Sequence, residues 1–154
     1  MIKAFDPRTA MLVGLVAFAW CAVQHGSANA SGSATTSATA APSANGRSIF
    51  QTGKDLAGRQ ILAKPPAMFP SCAACHNADG SGGRHLPGGA VSADLRHAAL
   101  VTGQKTPYTL PLLERAISTG IDNERQPLNR VMPHWKLSAQ DLHDVAEYVL
   151  TQLK

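Results

Sequence analysis

Residues Cys72-Ala73-Ala74-Cys75-His76 carry the most concentrated chemistry in the chain. Two thiols at this spacing can both reach the vinyl groups on one edge of a porphyrin. The histidine that follows is then carried under the ring, where an imidazole nitrogen can bind iron. This is the pattern that attaches a c-type haem. Thioether bonds at Cys72 and Cys75 and ligation by His76 would all come from one short stretch. The rest of the chain has to supply a second iron ligand, an apolar enclosure and a route to the compartment where attachment occurs. Other uses of the cysteines fit poorly. A redox dithiol would sit in alternating strands and helices, and a zinc site would need further cysteines.

The candidates for the second iron ligand are Met132, His85, His97, His134 and His143. Met132 is followed by Pro133 in an irregular stretch just before the last helix, which suits a ligand delivered by a loop stiffened on one side. A lone methionine is more often core filling, but Met/His pairing is the habit of c-type haems. Met132 is therefore the expected ligand and His134 its rival. His143 is read as solvated, and His85 and His97 as loop residues, with Arg84 and His85 near a propionate. Met68 is read as packing. A ligating imidazole usually gives its other N–H to a carbonyl, and Pro87 is the expected source. The glycine clusters Gly80 to Gly83 and Gly88-Gly89 have no preceding strand and no following Gly-Lys-Ser/Thr. They are read as a loop passing close to another surface, not as a phosphate cradle.

The positioning elements are mainly helical. Asn45 is expected to cap a short helix through Arg47, Ile49 and Phe50 that stops at Gly53, with Gly46 and Phe50 on one face. Pro65-Pro66 and Pro70 exclude a helix before the cysteines, and Asp55 to Ile61, with Gly58, reads as a hairpin. Thr109 to Thr119 reads as a helix with Pro111 in its first turn, apolar Leu112, Leu113, Ala116 and Ile117, and Gly120 as its C-terminal cap. Ser138-Ala139-Gln140-Asp141 resembles a capping box. Leu142, Val145, Ala146, Val149, Leu150 and Leu153 follow at helical spacing, and their stripe is expected to pack on the Asn45–Thr52 helix.

The 154 residues suit one domain plus extensions, with net charge +4 and 16% charged residues. No cationic run is long enough to suggest nucleic acid. Only 5% of residues are aromatic, so a large planar cofactor would help fill the core. Residues 1–30 read as a secretory signal peptide, with Lys3 and Arg8, an apolar run from Ala10 to Val23 and small residues before a cut after Ala30. That run makes about 21 Å of helix, short of a hydrocarbon core of roughly 30 Å; an uncleaved anchor is the alternative. Cys21 follows Trp20, where lipoprotein processing wants a small side chain, and is read as a passive member of the run. Residues 31–44 read as a disordered Ser/Ala/Thr-rich linker, and 45–154 as the folded domain. The expected location is the periplasm.

With these residues in view, positions 45–154 resemble the class I monohaem c-type cytochromes. The likeness rests on Cys72 to His76, Met132-Pro133, and Leu137-Ser138 leading into a helix with Tyr148-Val149-Leu150. It implies a cytochrome c-like fold, one covalently attached haem c, proximal ligation by His76 and distal ligation by Met132. It also implies a first and last helix that cross at Gly46, Phe50 and Tyr148. The function implied is one-electron transfer, free or as the haem subunit of an oxidoreductase complex, to redox partner proteins. Lys105, Arg115, Arg125, Arg130 and Lys136 are candidates for a basic docking rim. The alternative is a haem-based small-gas binder or sensor with a displaceable ligand; no acid–base constellation suggests a peroxidase. The chain departs from the family pattern by the long stretch from Gln51 to Ser71 between the first helix and the haem cysteines.

Overall fold

A computed structural model describes residues 42–154. The expected signal peptide, Cys21 and the linker up to residue 41 lie outside the described residues. The first helix, α1 (Pro42–Thr52), starts earlier than expected, so residues 42–44 are helical and not linker. A proline is tolerated in a first turn because its missing N–H would have no intrahelical partner there. Asn45 is therefore inside the helix and not its cap. Its amide nitrogen donates to Asp141 Oδ1 (2.9 Å) and Asp144 Oδ2 (2.7 Å), and its oxygen accepts the Leu56 N–H (3.0 Å).

The last helix, α4 (Ala139–Gln152), has Ser138 as its N-cap. The Asp141 N–H donates to Ser138 Oγ (3.1 Å), and that hydroxyl donates to Asp141 Oδ2 (2.6 Å). This satisfies a free helix-end donor. α1 and α4 cross where Gly46 meets α4: a Cβ at residue 46 would overlap the Asp144 carbonyl. Next to the crossing, Phe50 and Tyr148 pack with ring centroids 5.7 Å apart at 50°. Ile49, Phe50 and Val145 are the largest side chains fully withdrawn from solvent; each such burial contributes about 1.5–3 kcal/mol.

The short helix α2 (Ala73–His76) packs against α1. α3 (Leu110–Thr119) buries Leu113, Ala116 and Ile117, and it ends at Gly120 with φ 70°. The stretch from Gly53 to Ile61 closes as the expected hairpin, through Asp55 N–H to Arg59 O (3.0 Å) and Ile61 N–H to Gly53 O (2.8 Å). Beyond it the chain forms a strand that periodicity does not reveal. β1 (Leu62–Lys64) pairs antiparallel with β2 (His134–Lys136), with Ala63 opposite Trp135.

Candidate haem-binding site

The single turn of α2 gathers the chemistry. The N–H groups of Cys75 and His76 both return to the Cys72 carbonyl, at 3.1 and 2.9 Å. The two thiols and the imidazole therefore line one cavity of about 390 Å³, with Phe50 and Val149 from the helix crossing in its wall. That volume lies in the range of ligand pockets. Cys72 and Cys75 are free thiols. Burial pushes the Cys72 thiol up to about 12. Burial also raises Cys75, against the opposing charge of Arg84. Burial outweighs Arg84 and leaves both thiols favouring the protonated form, whereas a redox-active or zinc-binding pair needs a thiolate.

His76 is buried, at 8% exposure. Burial lowers its pKa, partly offset by its hydrogen bond to Ala93. Nδ1 lies 2.8 Å from the Ala93 carbonyl. A carbonyl can only accept, so Nδ1 carries the proton and Nε2 keeps its lone pair. Nε2 has no hydrogen-bond partner among the described residues. The result is a neutral, oriented imidazole with one free donor atom.

The loop after α2 explains how Ala93 arrives there. Asn77, at φ 64°, turns the chain, and its amide nitrogen donates to the Gly82 carbonyl (2.7 Å). Residues 83–92 then fold back on themselves, through Gly83 N–H to Ser92 O (2.8 Å) and Ser92 N–H to Arg84 O (3.0 Å). Gly82 sits at the root of this excursion with φ +63°, and a Cβ there would overlap the Ala93 carbonyl. Only glycine leaves that oxygen room to approach His76.

Met132 lines the same cavity, together with Pro133 and Trp135. Its loop is turned by Met132 N–H to Asn129 O (2.9 Å) and Val131 N–H to Asn129 Oδ1 (3.0 Å). His134 is exposed, and its ring rests on Gly120 at the end of α3. Strand alternation accounts for the difference: Trp135 is buried, with exposed His134 and Lys136 on either side. The donor set of imidazole nitrogen, thioether sulfur and two protonated thiols, within mostly apolar walls, fits a covalently attached haem.

The family model for cytochrome c matches residues 43–152. The chain belongs to the cytochrome c family. Among curated proteins and among solved structures nothing matches it. Its mainly helical architecture is the cytochrome c-like fold, and the family's cofactor is one covalently attached haem c used for electron transfer.

Several expectations require correction. The carbonyl facing His76 belongs to Ala93 and not to Pro87. Pro87 opens a short turn at the exposed tip of the 83–92 excursion, and the returning arm brings Ala93 back. Met68, read as packing, lies at the cavity's edge. Arg115 turns inward, donating from Nη2 to the Asp122 carbonyl with Nε buried, so it leaves the basic rim. Arg84 donates from Nη1 to the Ala74 carbonyl (2.6 Å). His143 is exposed, as expected, and meets Glu114 Oε1 at 3.2 Å. Ala93, Gly82 and Trp135 were missing from the expected site. Trp135 left a signal as an apolar residue between two polar ones, and Gly82 as part of the glycine cluster expected to pass close to another surface, which it does at the Ala93 carbonyl; Ala93 left none.

Proposed function

We propose that this cytochrome is an exported one-electron carrier whose haem is bonded through Cys72 and Cys75, with iron held by His76 and Met132. One observation carries the reading: a single cavity is lined by Met132 and by a His76 whose Nδ1–H is fixed on Ala93. His134 faces away, which favours the thioether over the second imidazole. The bound group supplies one-electron Fe(III)/Fe(II) cycling. The residues around it orient the imidazole, exclude water and provide a soft ligand that favours the ferrous state, hence a comparatively positive potential.

The carrier works in the periplasm, after removal of residues 1–30, either free or as the haem subunit of an oxidoreductase complex. Among the described residues no helix is long and apolar enough to cross a membrane. Redox partner proteins dock briefly, with exposed Lys105, Arg125, Arg130 and Lys136 as candidates for the complementary charge.

Spectra of the ferric protein test the ligand set. Met132→Ala should remove the long-wavelength sulfur-to-iron charge-transfer band while the haem stays covalently attached. His134→Ala should keep the band. A wild type without the band, or a Met132→Ala protein that keeps it, would overturn the assignment. Fractionation with a haem stain tests the location, and recovery only in the cytoplasm would refute it.

A further inference from the structure

The stretch from Gly53 to Pro70 separates α1 from the haem cysteines, and electron transfer by His76 and Met132 does not account for it. Its root is firmly tied. The Gln60 side-chain amide donates to the carbonyls of Gly53 (2.8 Å) and Pro70 (3.2 Å). Ile61, 8% exposed, plugs into the core. From this root the chain runs as β1 alongside β2, with Leu62 opposite Lys136, Ala63 opposite Trp135 and Lys64 opposite His134. It then passes through Ser71, itself buried, into Cys72.

β2 begins two residues after Met132. The loop that carries Met132 is also held by the turn on Asn129, by Leu128 N–H to Gly120 O (2.7 Å), by His134 resting on Gly120 and by the buried Trp135. One continuous backbone segment therefore links the thiol side of the cavity to the strand that follows the thioether.

We propose that residues 53–70 act as a strap that positions Met132, by pairing β1 with the strand after it. The proposal rests on Met132 being an iron ligand. The pairing restricts the loop to conformations in which the thioether faces the cavity. An exogenous ligand that displaces Met132 has to select an opened loop, and its apparent affinity is scaled down by the rarity of that state. Weakening the strap raises the open fraction. Conversely, a ligand that holds the loop open loosens the strap, because coupling between two sites is reciprocal.

The test uses the full-length holoprotein with imidazole as the probe. In an antiparallel ladder alternate residues of a strand donate to the partner, so the double variant Leu62→Pro/Ala63→Pro disrupts the pairing in either phase. It should bind imidazole about tenfold more tightly, within the usual range of coupling between sites. It should also show a weaker sulfur-to-iron band and a lower reduction potential. Leu62→Val, a strand former at an exposed position, should behave as wild type. Unchanged imidazole affinity and band in the proline variant would overturn the strap. A wild type without the band would remove Met132 as ligand and the strap with it, so the two failures are distinguishable.

A measurement on the wild type does not depend on the variant folding. Hydrogen exchange with and without saturating imidazole should show residues 62–64 losing protection together with 134–136. Undiminished protection at 62–64 while imidazole displaces Met132 would rule the strap out.

Discussion

His76 Nδ1 donates to the carbonyl oxygen of Ala93 across 2.8 Å. This one bond fixes the imidazole's tautomer and orientation, and it joins the haem motif to the far arm of a glycine-rich excursion. Hydrogen bonds of this kind raise the basicity of a ligating imidazole. The geometry depends on Gly82, whose N–H donates to the His76 carbonyl (2.9 Å) and which leaves no space for a side chain against the Ala93 carbonyl.

Gly82→Ala should therefore be costly twice. The Cβ would strain a left-handed backbone and push the Ala93 carbonyl away, for a loss of about 2 kcal/mol or more. The weaker hydrogen bond would make His76 a poorer electron donor, so the reduction potential should rise. Denaturant unfolding and potentiometry on the holoprotein measure the two effects. Wild-type values in both would show that the Ala93 contact does not constrain His76.

The residue after Ala93 gives this arm a pH dependence. Arg96 holds the Asp94 carboxyl below the usual carboxylate range, chiefly through its side-chain hydrogen bonds and against the opposing effect of burial; the Nη2–Oδ2 distance is 2.6 Å. The folded pKa lies below the unfolded value of about 3.9. The stabilisation is thus complete above the unfolded value and lost as pH falls through the folded one. Both side chains are partly exposed, at 31% and 41%, so it should amount to less than about 1 kcal/mol. Asp94→Asn should be slightly less stable than wild type at pH 7, with the difference shrinking in acid. A difference of constant size from neutral to strongly acid pH would show that the Asp94 charge is not its source.

Cys72 caps the turn that presents Cys75 and His76, and its side chain packs against the core. Cys72→Ala should leave one attachment point and a small void. Haem-stained protein on a denaturing gel should fall well below the wild-type yield. Protein that does fold should lose about 1–2 kcal/mol from the missing buried sulfur. Full covalent haem content in this variant would show that Cys72 is not an attachment point.

What could be read from the chain beforehand followed from local chemistry. Ser138 and Asp141 announced the start of α4 because a capping box is a short-range contact. Leu113, Ala116 and Ile117 announced the buried face of α3 by helical spacing. Ala93 could not be read in this way. A backbone carbonyl carries no residue type, and its approach depends on the path taken by residues 83–92. β1 was hidden for a related reason: it is three residues long, too short for alternation to register, and its partner lies far along the chain. Asn45 illustrates a third cause. It has the residue type of a cap, but the carboxylates of Asp141 and Asp144 on α4 claim its amide.

The crossing of α1 and α4 allows the sharpest stability prediction. A Cβ at residue 46 would overlap the Asp144 carbonyl and approach Tyr148 Cβ to 2.8 Å. Neither neighbour is the free end of a flexible side chain, so the helices themselves must separate. Gly46→Ala should therefore cost about 3 kcal/mol, the upper part of the range for overpacking, even though alanine is the better helix former. Gly58→Ala is the control: a Cβ there meets nothing, although φ is +80°, so only the backbone cost of about 1–2 kcal/mol applies. Each kcal/mol lowers the Tm of a domain this size by about 5 °C, so thermal melts of the two holoproteins resolve the difference. A Gly46→Ala protein more stable than Gly58→Ala would mean that the helices do not meet at Gly46. The phenylalanine–tyrosine contact beside it would then have to be placed differently as well.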